Sequence, residues 1–151
     1  MMIYNQILDT PIGQLEVRAS SDALLSVYFV EHVQKISSNQ ITSLAVNQLQ
    51  EYFGGDRKVF DVPTAASGTE FQEKVWAQLN LIEYGATRSY GDIAFSLSNP
   101  KAVRAVGSAN GRNPLSIIVP CHRVIGANGN LSGYAGGVVR KEWLLRHEGA
   151  I

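Results

Sequence analysis

The period of the hydrophobic pattern changes partway along this chain, and the change limits what it can fold into. Over residues 2–30, apolar and polar residues alternate in three short runs. The first sets Ile3, Asn5 and Ile7 in alternate places, the second Leu15, Val17 and Ala19, the third Leu25, Val27 and Phe29. Pro11-Ile12-Gly13 and Ser20-Ser21-Asp22 separate them. A period of two bounded by turn residues predicts a meander of half-buried antiparallel strands. Residues 31–40 are polar and read as loop. From there Ile41, Leu44, Ala45, Leu49, Tyr52 and Phe53 recur near a period of 3.6, and Gly54-Gly55 closes a helix.

Residues 56–68 hold Pro63, Ser67 and Gly68 among small residues and read as a linker. This places a domain at 1–65 and another at 66–151. The second opens on Thr69-Glu70-Phe71-Gln72, the pattern of a capping box, in which Thr69 caps the amide of Gln72 and Gln72 reaches back. Phe71, Val75, Leu79 and Ile82 then make one apolar stripe as far as Gly85. Ser89-Tyr90-Gly91-Asp92 opens a shorter helix with Ile93, Ala94 and Leu97 inward. Asn99-Pro100 reads as the start of another, with Ala102, Val103, Val106 and Ala109 inward and Lys101, Arg104, Ala105 and Ser108 outward. Two short helices so closely joined predict a helix-turn-helix, and its second helix is small-residued enough to approach a nucleic-acid groove. Leu115-Ser116-Ile117-Ile118-Val119 reads as a buried strand ended by Pro120. A glycine-rich loop, with a turn at Asn128-Gly129, occupies 126–137. It lacks the Gly-Lys-Ser ending of a phosphate loop. A last helix spans 138–148, with Trp143, Leu144 and Leu145 inward; Trp76 and Trp143 read as core anchors.

Composition excludes several classes. At 151 residues, 45% hydrophobic and 17% charged, the chain is ordinary globular protein. No apolar run approaches the ~20 residues a bilayer span needs, and no secretory signal opens the chain. A lone cysteine forms neither a disulfide framework nor a multi-cysteine zinc site. The expectation is a cytoplasmic protein, or a nuclear one in a eukaryote. Net charge is zero but unevenly spread. Residues 1–100 carry six Lys/Arg against eleven Asp/Glu, whereas residues 101–151 carry seven against two. Such a basic third suits a polyanion.

The single cysteine lies in Val119-Pro120-Cys121-His122-Arg123. A thiol of pKa ~8.5 is mostly protonated at neutrality, and a neighbouring histidine oriented by a carboxylate can take its proton. Only Glu142 and Glu148 follow Cys121. Either completes a Cys-His-acid set.

Pro120-Cys121-His122-Arg123 followed by Val124-Ile125-Gly126 resembles the active-site signature of the methylated-DNA–protein-cysteine methyltransferases, the O6-alkylguanine-DNA alkyltransferases. Further blocks resemble that family in matching order: Gly68 to Gln72, Ser89 to Ala94, Arg104 to Gly107, Asn113-Pro114, Gly133 to Gly137 and Lys141 to Leu145. The resemblance implies an α/β protein with a small N-terminal ribonuclease-H-like α/β domain and a mostly helical, winged-helix-like C-terminal domain. It implies a monomer without cofactor that acts on double-stranded DNA containing alkylated guanine, with O4-methylthymine a further candidate substrate. The helix-turn-helix would then enter the minor groove.

The resemblance also implies roles. Cys121 accepts the alkyl group, His122 is its base through a water, and Glu148 rather than Glu142 orients His122. Asn113 braces the turn, and Tyr90 donates to guanine N3. The carbonyls of Cys121 and Val124 read the guanine amino group, while Pro120, Tyr134 and Ala135 line the pocket. Lys141 supports the loop. Arg104 enters the base stack, with Lys101, Ala105 and Ser108 beside it on the DNA. The basic residues Arg112, Arg123, Arg140 and Arg146 read as phosphate contacts or solubilising charges. Ala135 stands where some relatives carry a hydroxyl, so a backbone amide is left to serve the guanine oxygen. Residues 1–100 hold no cysteine and only His32, so no metal is expected. Two other classes fit parts of the pattern. A non-catalytic sensor of alkylated DNA would lack the cysteine, and a thiol hydrolase would leave the helix-turn-helix unexplained.

Overall fold

The computed structural model describes residues 1–33 and 35–151. Packing divides the chain into two units, Met1–Ala66 and Ser67–Ile151.

In the first unit the alternating runs become an antiparallel meander in the order β1 (Tyr4–Thr10), β2 (Gly13–Ala19) and β3 (Leu24–Val30). Register is set by pairs such as Leu8 with Leu15 and Val17 with Val27. Helix α1 (Gln40–Phe53) packs on this sheet. Asn39 caps it by accepting from the Thr42 amide at 2.9 Å. Leu15, Val17, Leu24, Val27, Leu49 and Tyr52 are fully buried between the layers. Each such side chain is worth roughly 1.5–3 kcal/mol of transfer free energy. The helix is rotated from the expected stripe. Thr42, Val46 and Gln48 are buried and Leu44 is exposed. The loop read at 31–40 ends earlier than expected, since Ser37 bridges Asn5 and Gln40 is already helical; its residue 34 lies outside the described residues. The segment read as linker is in part a fourth extended run. Thr64 bridges Leu24, the Leu24 amide donates to Pro63, the Ala65 amide donates to Leu24, and Val62 is buried.

The second unit is mostly helical: α2 (Glu70–Leu79), α3 (Tyr90–Ser96), α4 (Val103–Gly111) and α5 (Val138–His147). The capping box forms at Thr69 and Gln72, and a second forms at Ser89 and Asp92. Strands β4 (Arg88–Ser89) and β5 (Val124–Ile125) make a two-residue parallel pair. Trp76 is a core residue, its indole N–H donating to the Ala109 carbonyl at 2.9 Å.

Four expectations need correction here. Helix α2 stops at Leu79, and Ile82 is buried from the turn beyond it. Helix α4 begins at Val103 rather than Asn99, because Ser98 adopts φ 57° and the chain turns through 99–102; Val103 is consequently exposed. Residues 115–119 are a tight turn and not a strand, with Ile117 at φ 72° and the Val119 amide donating to Leu115. Trp143 is only half-buried and stacks on His147 with ring centroids 4.8 Å apart.

Ser98 is exposed in the left-handed region, where a Cβ is disfavoured and glycine is not. Ser98→Gly is expected to stabilise the protein by about 0.5–1 kcal/mol, read as a higher urea midpoint. A lower midpoint contradicts this account of the turn.

Candidate active site

Cys121, His122 and Arg123 form one turn of 3₁₀ helix, entered from the tight turn 115–119. Asn113 builds that approach. Its Nδ2 donates to the Val119 carbonyl at 2.8 Å and its Oδ1 accepts from the Leu115 amide at 3.0 Å. The Cys121 amide also donates to Val119, at 2.8 Å. Ile117 holds its left-handed conformation while 1% exposed. A β-branched residue there is strained by roughly 1–3 kcal/mol, opposed by burial of its side chain.

Cys121 is 3% exposed. Burial pushes its thiol up; a hydrogen bond from the Asn113 side chain and the charge of Lys141 pull it back. His122 is fully buried, and its Nε2 lies 2.7 Å from Glu148 Oε2. Desolvation holds the imidazole below its ordinary value even though Glu148 favours the cation. A neutral ring that donates from Nε2 to a carboxylate carries its lone pair on Nδ1, and no described side chain bonds that atom. The pair therefore has the form of a base with its orienting acid.

Glu148 sits just past α5, where Gly149 at φ 74° turns the chain away. Arg123 meets the carboxylate twice, Nε on Oε1 at 2.7 Å and Nη2 on Oε2 at 3.1 Å. The same guanidinium donates to the Ile82 carbonyl at 2.7 Å. Arg123 is thus a buried structural cation, which corrects its reading as a phosphate contact or solubilising charge. Its signal was adjacency to His122; its partner lies 25 residues on, out of reach of local pattern. Glu142 instead pairs with Arg146 at the surface.

The β4–β5 pair places the start of α3, and so Tyr90, beside the exit of the cysteine turn. The Tyr90 hydroxyl donates to the Ser132 carbonyl at 3.1 Å, and burial raises its pKa, keeping it protonated. Lys141 is fully buried. Its Nζ donates to the Val124 carbonyl, lies 3.5 Å from the Ser132 carbonyl and stands 5.8 Å from the Tyr90 ring centroid. Burial lowers this amine to about 8, with Cys121 opposing the shift. Tyr134 is buried and its phenol is pushed up by desolvation. Pro120 and Val124 are buried with the turn, whereas Ala135 is exposed on the glycine-rich loop.

Arg104, Ala105 and Ser108 are exposed on α4, and Lys101 is exposed in the turn before it. They form a surface separate from the buried cluster. Asn110 and Ser132 were not anticipated. Asn110, on the inner face of α4, donates from Nδ2 to the Cys121 carbonyl at 3.2 Å. No motif marks it, since its partner is a backbone atom. Among the described residues no group of three or more His, Cys, Asp or Glu is placed to hold a metal ion.

The 6-O-methylguanine DNA methyltransferase DNA-binding domain matches residues 70–150, and the ribonuclease-like domain of the same family matches 3–66. The methylated-DNA–protein-cysteine methyltransferase of Methanosarcina acetivorans is 48% identical over 98% of this chain and 99% of its own. The protein of that name from Mycobacterium tuberculosis is 47% identical over 97% of this chain and 93% of its own. The crystal structure of the Mycobacterium tuberculosis O6-methylguanine methyltransferase superposes with a TM-score of 0.90 at 44% identity, covering 99% of this chain and 94% of that one. A second structure, the OGT of the same organism in complex with DNA, gives 0.89 at 46% identity over 97% and 92%. With both units matched, and relatives nearly half identical from end to end, the chain belongs to the 6-O-methylguanine DNA methyltransferase family.

Proposed function

We propose that this chain repairs double-stranded DNA by moving the alkyl group of an O6-alkylated guanine onto its own Cys121, once per molecule. The observation that carries this reading is the buried Cys121 turn, its histidine held by Glu148 at 2.7 Å, behind a helix-turn-helix whose outer face shows Lys101, Arg104, Ala105 and Ser108. A thiol 3% exposed cannot reach an oxygen inside stacked duplex, so the base must leave the stack and come to it.

The geometry supports one sequence of steps. The thiol proton passes through a water to His122 Nδ1, leaving an imidazolium beside the Glu148 carboxylate. The thiolate sulfur forms a bond to the alkyl carbon as that carbon's bond to O6 breaks. The electron pair passes into the purine, and Tyr90 donates its hydroxyl proton toward N3 so that a neutral guanine departs. The Cys121 and Val124 carbonyls accept from the guanine amino group. The product thioether has no hydrolysable bond, so each molecule acts once. Arg104 fills the place left in the stack, and Lys101, Ala105 and Ser108 lie along the groove. Residues 1–66 are the α/β domain and 67–151 the DNA-binding and acceptor domain. The protein works as a monomer, without cofactor, in the cytoplasm or in a eukaryotic nucleus. No helix of the described residues is long and apolar enough to cross a membrane.

The direct test is intact mass after mixing with duplex carrying one O6-methylguanine. One added methyl group per protein, mapped to Cys121 and absent from Cys121→Ala, is expected. An unchanged mass with a reduced thiol overturns the proposal.

Gly133 has φ 91°, and a Cβ there would stand 2.6 Å from the Tyr90 hydroxyl oxygen. Gly133→Ala is therefore expected to slow transfer by tenfold or more through displacement of Tyr90, about 1.4 kcal/mol in the barrier. An unchanged single-turnover rate would argue against Tyr90 as the donor.

Lys141 gives a pH signature. Its folded pKa is about 8 against an ordinary 10.5, so between those values the unfolded chain holds a proton that the folded chain has lost. Stability relative to Lys141→Met should then rise with pH across that window and stay flat below it. Denaturant titrations of both proteins at several pH values check the sign; a gap that moves the other way contradicts it.

A further inference from the structure

The carbonyl of Cys121 faces two jobs in the proposed reaction. It belongs to the nucleophile's own residue, and it accepts from the guanine amino group. In the structure it already accepts from the Val124 amide, which closes the 3₁₀ turn, and from Asn110 Nδ2 at 3.2 Å. Asn110 reaches it from α4, the helix whose opposite face carries Arg104, Ala105 and Ser108. Its side chain is 1% exposed.

Asn110 is an expensive residue for a buried helix face. Its Oδ1 is buried, and among the described residues no group donates to it. An unpaired buried acceptor destabilises, while an apolar side chain of the same volume would pack there without that penalty. The position thus trades stability for one directed hydrogen bond, a pattern that marks functional sites. Its direction is unambiguous, since a carbonyl can only accept and the amide must present its NH₂. The second carbonyl assigned to the guanine amino group, that of Val124, is held in the same way by Lys141 Nζ from α5. Each carbonyl accepts from a buried side chain of a different helix.

We infer that Asn110 is a positioning residue for guanine recognition: from the DNA-facing helix, its amide fixes the orientation of the Cys121 carbonyl that reads the exocyclic amino group. The inference rests on the proposed reading of that carbonyl. Without Asn110 the Cys121 carbonyl keeps the turn-closing bond from the Val124 amide but loses its tie to α4, so it tilts and the amino group is read less well.

The test compares single-turnover methyl transfer at saturating DNA from O6-methylguanine and from O6-methylhypoxanthine, which lacks the amino group. Wild type is expected to prefer the guanine by about tenfold or more. Asn110→Leu is expected to cut that preference about fivefold, the scale of one net hydrogen bond, with duplex affinity unchanged and a melting temperature no lower than wild type. Asn110→Ala serves as the second variant and should lose the same selectivity. A drop in rate equal for both bases, or a preference that is kept or grows, shows a merely structural asparagine and overturns the inference. A wild type that transfers methyl from both bases alike removes the carbonyl reading, and the inference with it, while leaving transfer to Cys121 intact.

Discussion

A carboxylate without water must find its donors in the protein, and the geometry of this site is organised around one such group. Glu148 accepts from Arg123 through both oxygens and from His122. Those contacts fix the last turn of α5 against the cysteine turn, and Arg123 Nη1 carries the tie to Ile82 beyond α2. Breaking a buried pair from one side typically costs 3–5 kcal/mol, because a charge is left behind with no partner. The same cluster does chemical work. Desolvation keeps His122 neutral against the pull of Glu148, and the bond to that carboxylate selects one tautomer, with Nδ1 turned away from the acid.

Cys121 itself is placed by backbone more than by side-chain packing. Asn113 replaces ladder partners for the turn that precedes it, and Ile117 takes a conformation that β-branched residues avoid. The thiol is thereby delivered to a buried position, where burial disfavours its anion, while the Asn113 side chain, the Lys141 charge and the backbone amides of Cys121 and His122 oppose that trend. Reactivity in such a place depends on a base close at hand rather than on a standing thiolate.

Much of this was readable along the chain. Alternation located the three strands, and Thr69 and Gln72 announced the start of α2, because both signals are local and each satisfies backbone groups within a few residues. The local motif brought in Cys121 and His122, and chain order left Glu142 and Glu148 open. The family resemblance added Asn113, Tyr90 and Lys141 and selected Glu148. Glu142 aside, these six residues are buried or half-buried around one turn. The misreadings share a cause. Leu115 to Val119 has strand composition, but the side chain of Asn113 takes up the groups a neighbouring strand would have used. Arg123 looked like surface charge because its partner is distant in sequence. Helix α4 starts late because Ser98 turns the chain left-handed, which no residue-type preference of serine announces. Asn110 was invisible because it serves a backbone atom, and backbone atoms leave no trace in sequence.

The Tyr90 hydroxyl is already satisfied, by a carbonyl on the glycine-rich loop that Lys141 shares. In the proposed reaction a visiting base that accepts from Tyr90 must displace this partner, so it gains only the difference between two hydrogen bonds. For a neutral, undamaged base that difference is close to nothing, and its stay is not rewarded. The balance tips only as negative charge builds on the purine while the alkyl group departs, because a charged acceptor outbids a neutral carbonyl. Under the proposed role of Tyr90, discrimination shifts from the arriving base to the reacting one, which is the condition for a binding site to act as a catalyst rather than a trap.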